Sequence, residues 1–60
     1  MYRYIFYTQE SLDAPRMIRA VKHCKRPRAT KIYKHLERMF HSGEVGVFGY
    51  TIETEFQTFT

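Results

Sequence analysis

The chain has 60 residues, ten Lys/Arg against six Asp/Glu for a formal charge of +4, one cysteine, and five Tyr with five Phe. That length gives one domain with a thin core, which proteins of this size commonly supplement with a disulfide, a metal or a partner chain. Cys24 alone excludes an intrachain disulfide, and no run reaches the roughly 18–20 apolar residues of a membrane span, so a cytoplasmic protein with no membrane role is expected.

The opening MYRYIFYT is too short and too aromatic for a signal peptide. Residues 2–8 are rich in aromatic and β-branched types, which predicts a strand. Tyr2, Tyr4 and Phe6 share one face of it, and Arg3, Ile5 and Tyr7 the other. Both faces are largely apolar, so the strand is expected to be covered twice or to pair across a homodimer.

"QESLDAP" breaks that pattern. Asp13 reads as an N-cap, with Ala14 and Pro15 in a first helical turn. A first helix is predicted over 14–25, with Met17, Ile18, Val21 and Cys24 at i, i+1, i+4 and i+7 as its apolar stripe. Arg16, Arg19, Lys22 and His23 take its other side. Pro27 ends it, because proline disfavours helical geometry in the preceding residue.

A second helix follows in "RATKIYKHLERMFHSG", where Ala29, Ile32, Tyr33, Leu36, Met39 and Phe40 make a stripe at helical spacing. Thr30 or Pro27 begins it, and Gly43 is its expected C′ residue. From Glu44 the period switches to two. Phe48, Tyr50, Ile52, Thr54 and Phe56 alternate with Gly49, Thr51, Glu53, Glu55 and Gln57, as in a half-buried strand with an acidic outer face. Gly46 and Gly49 leave open whether 45–58 is one strand or a hairpin.

The fold class predicted is therefore α+β, in the order β-α-α-β(β): an N-terminal strand, two helices joined by a short basic turn, and a C-terminal strand or hairpin. Its core is expected to comprise Met17, Ile18, Val21, Ile32, Tyr33, Leu36, Met39, Phe40, Phe48, Tyr50 and Ile52.

Charge is distributed unevenly along this order. Residues 14–42 hold nine of the ten Lys/Arg and a single acid, Glu37, whereas 43–60 hold Glu44, Glu53 and Glu55 and no cation. Such separation attracts polyanions. The candidate nucleic-acid-binding residues are Arg16, Arg19, Lys22, Lys25, Arg26, Arg28, Lys31, Lys34, His35 and Arg38. Arg26, Arg28 and Lys31 are expected to hold phosphates at the turn, and Lys34, His35 and Arg38 to face a groove. The plainer alternative is that these side chains only solvate the outer faces of two amphipathic helices.

In "ATKIYKHLERMFHSGEV", Thr30, Tyr33, Leu36 and Gly43 occupy the places of a helix-opening Thr, an aromatic-x-x-Leu anchor and a Gly before an extended wing. The stretch resembles the recognition helix and wing entry of winged helix-turn-helix DNA-binding proteins. The order of strand, 14–25 and 29–42 also resembles ribbon-helix-helix repressors. Both resemblances imply a small transcription regulator that binds duplex DNA, of the kind phages or mobile elements carry.

A protein-binding inhibitor or adaptor, with basic helices docked on an acidic partner, uses the same charge equally well. Zinc is not expected. Only Cys24 is available with His23, His35 and His41, and His35 and His41 are six apart, off a common helical face. No glycine-rich phosphate loop or catalytic constellation stands out, so neither an enzyme nor a cofactor is expected.

Overall fold

The computed structural model describes residues 2–53. In chain order the elements are β1 (Tyr2–Gln9), β2 (Met17–Cys24), a 3-10 turn (Pro27–Ala29), α1 (Lys31–His41) and β3 (Val47–Ile52). The strands form one antiparallel sheet in the order β2-β1-β3, and α1 covers one face of it. The fold is α+β with three strands and one helix. The predicted two-helix order is incorrect.

The error lies in residues 14–25, which form no helix. β1 is the central strand and has two edges of backbone N–H and C=O groups to satisfy. β3 takes one edge and β2 the other, pairing Tyr2 with Cys24 through to Thr8 with Met17. Asp13 does not cap a helix. It lies in the β1–β2 connection, where Ala14 N–H donates to the Ser11 carbonyl at 3.1 Å and the Gln9 side-chain amide donates to the Ala14 carbonyl at 2.6 Å. Because both edges of β1 are occupied, it has none left for pairing across a dimer.

The register sorts the side chains of β1. Tyr4, Phe6 and Thr8 point toward α1 and are 7%, 0% and 1% exposed. Leu36 at 0% meets them from the helix, with Ile32, Tyr33, Met39, Phe48, Tyr50, Ile52 and Cys24 packed around. Tyr50 sits at the centre of the aromatic layer, 5.5 Å from Tyr4 and 5.8 Å from Phe6 between ring centroids. These edge-to-face and tilted contacts suit aromatic quadrupoles. Of the expected core residues only Leu36 is fully buried; six are half-buried, and Met17, Ile18, Val21 and Phe40 are 57%, 56%, 41% and 42% exposed. The first three lie on edge strand β2, Ile18 and Val21 on the face opposite the helix.

α1 matches its expected sequence signals closely. Thr30 is the N-cap: its hydroxyl accepts from the Tyr33 N–H at 3.3 Å and donates to the Pro27 carbonyl at 2.7 Å. Gly43, with φ +85°, closes the other end, where Glu44 N–H reaches the Met39 carbonyl and Gly43 N–H the Phe40 carbonyl. That pair of bonds is the Schellman closure. Val45, 9% exposed, then anchors the chain before β3.

Gly46 lies against β1, its N–H bonded to the Gln9 carbonyl, and a Cβ there would collide with the Glu10 carbonyl. Within the described residues, 47–52 is one strand and not a hairpin. Thr54, Glu55, Phe56 and Gln57, assigned to the same alternation, lie outside the described residues.

Candidate nucleic-acid interface

The ten sequence-predicted site residues fall into three groups. Lys31, Lys34, His35 and Arg38 occur at i, i+3, i+4 and i+7 on α1, so they share one helical face. All four are exposed and line one open depression of about 310 Å³ on the side of α1 away from the sheet. The sheet buries Leu36 from the opposite side of the same helix, which fixes the cationic face outward.

Lys25, Arg26 and Arg28 form the second group, on the connection between β2 and α1. With Pro27, Ala29 and Tyr50 they line an open depression of about 470 Å³. A side-chain hydrogen bond to the Tyr50 hydroxyl, with smaller charge effects from Tyr50 and Tyr33, raises Arg28 above the ordinary arginine range. The Thr30 cap joins this turn directly to the first residue of the α1 face.

Arg16, Arg19 and Lys22 form the third group, and the structure does not place them on a helix beside the others. Arg16 precedes β2 and stacks on the Tyr7 ring, 4.1 Å from its centroid. Arg19 is the extra residue of a bulge in β2, between the partners of Phe6 and Tyr7, and its Nε donates to Thr8 Oγ1 at 2.9 Å. That contact satisfies the buried Thr8 hydroxyl, a role for both residues that periodicity did not reveal. Lys22 projects from the exposed edge strand.

Among the described residues the one ion pair is Arg3 with Glu53, 2.8 Å apart. Arg3 and Glu53 lie at the sheet face opposite α1, so this acid is not beside the helical cations. The cations of α1 and the turn therefore have no acidic partner among the described residues.

Among the described residues no group of three or more His, Cys, Asp or Glu is placed to hold an ion. No helix among them is long and apolar enough to cross a membrane. Comparison with protein-family models, curated proteins and solved structures returned no match for this chain.

Proposed function

We propose that this protein binds nucleic acid, duplex DNA in preference to RNA, as a small regulatory protein and not as an enzyme. The binding surface is the outer face of α1 together with the basic turn before it. The observation that carries this reading is the cationic row Lys31, Lys34, His35 and Arg38, unpaired among the described residues, along one exposed helical face and continuous in sequence with Lys25, Arg26 and Arg28.

A helix of 11 residues spans about 16 Å, enough to follow several phosphates or enter a major groove. The helix-turn-helix route to that groove is not available, because the required first helix is strand β2. The proposed contact is a single helix supported by a sheet. Its turn residues Arg26 and Arg28 act on phosphates and supply affinity, while Lys34, His35 and Arg38 are placed for base edges.

Binding of the protein to duplex DNA, measured across a salt series, tests this. Arg26→Gln with Arg28→Gln should weaken binding to all sequences alike and reduce the salt slope by about two contacts' worth. No salt-sensitive binding at low ionic strength would reject the proposal and assign the face to an acidic protein.

A further inference from the structure

Among the described residues β2 has a single neighbour in the sheet, β1, and so carries one free edge over eight residues. Alternate N–H and C=O groups along such an edge point to solvent without a partner. The side chains beside that edge are divided by face. Lys22 is paired with Tyr4 and lies on the face that bears α1, as does Arg19, whose guanidinium reaches buried Thr8. Ile18 and Val21 are paired with Tyr7 and Ile5 and lie on the opposite face, 56% and 41% exposed. The edge therefore presents both of the strand's Lys/Arg cations, Arg19 and Lys22, on one side with Met17 and Ala20, and Ile18 and Val21 with His23 on the other. Residues 14–25 contain no acid.

We infer that the outer edge of β2 takes a fourth strand from another protein, an extended segment in which acidic and apolar residues alternate. Side chains of a strand alternate between faces, so such a segment sets its acids beside Arg19 and Lys22 and its apolar residues beside Ile18 and Val21. Main-chain hydrogen bonds to the free edge supply the register-fixed part of the affinity. Two other occupants fit less well. A second copy of β2 in antiparallel pairing centred on this stretch sets Arg19 opposite Lys22 of the other copy, and like charges directly opposite are destabilising. A nucleic acid offers no strand backbone to the edge and leaves Ile18 and Val21 exposed.

The probe is a capped octapeptide alternating valine and glutamate, titrated by fluorescence anisotropy with hydrogen exchange read on the complex. The peptide should bind saturably and protect amides of β2. Lys22→Glu, an exposed position whose thermal midpoint should stay at the wild-type value, should weaken binding about five- to tenfold. A valine–lysine peptide should then prefer K22E over wild type. The inference is overturned by protection confined to α1, by equal binding of the acidic peptide to K22E, or by no binding at millimolar peptide. Protection of β2 on concentrating the protein alone would assign the edge to a second copy instead. Displacement of bound peptide by stoichiometric duplex DNA would assign it to nucleic acid. None of these outcomes alters the salt-series test of the α1 face.

Discussion

α1 and β2 are both built from cations interleaved with apolar residues, yet the fold uses them in opposite ways. α1 buries Leu36 completely and leaves Lys31, Lys34, His35 and Arg38 without acidic partners among the described residues. β2 leaves Ile18 and Val21 exposed and engages Arg19 on Thr8, with the neighbouring Arg16 on Tyr7, while Lys22 projects from the exposed edge. One element is held by burial and is free to present charge. The other is held by backbone pairing and spends part of its charge on the sheet. Local charge density therefore does not mark the binding surface by itself; what matters is whether each cation already has a contact.

Substitution of core residues should expose the first half of that contrast most strongly. Leu36→Ala should cost about 2–5 kcal/mol in urea unfolding, because a fully buried side chain leaves a cavity, whereas Ile18→Ala on β2 should cost under about 1 kcal/mol. Equal losses would mean that β2 packs against something as α1 does. Gly46→Ala comes next, at about 1–3 kcal/mol, since the added Cβ must push the Glu10 backbone away. A neutral result there would show that the Gly46 approach to β1 is looser than described.

Thr30→Ala removes the acceptor for the Tyr33 N–H and should cost about 1 kcal/mol, seen as a lower thermal midpoint with the cationic face of α1 chemically intact. The smallest effect belongs to Arg16→Gln. Losing the stack on Tyr7 at an exposed site should cost about 0.5–1 kcal/mol in the same unfolding assay. A larger loss would indicate that Arg16 braces the sheet.

Much of α1 was legible from residue types. Thr30, the 3.6-residue apolar period and Gly43 each act within a few residues, so they need no knowledge of the rest of the chain. β2 was not legible, and the bulge at Arg19 gives the reason. In a regular strand, residues on one face are two apart. The inserted Arg19 shifts the parity, so that Ile18 and Val21, three apart, share the open face while Met17 and Ala20 share the other. Spacings of three and four are the signature of a helix, and the bulged strand reproduced it.

What decided the matter was the demand of β1 for a partner on each edge, a non-local requirement. The α1 part of the candidate site was legible for the same local reason as the helix. The separation of Arg16, Arg19 and Lys22 from it followed the misassigned strand.

The proposal that the α1 cations contact nucleic acid, and those of β2 and the residue before it do not, is tested most directly by paired substitutions in a salt titration. Binding to duplex DNA is measured for wild type, for Lys34→Gln with Arg38→Gln, and for Arg16→Gln with Lys22→Gln, each pair removing two positive charges. The account predicts that the α1 pair lowers affinity and flattens the plot of log affinity against log salt by about 1.8, while the β2 pair leaves the slope unchanged. Equal flattening by both pairs, or by the β2 pair alone, would contradict it.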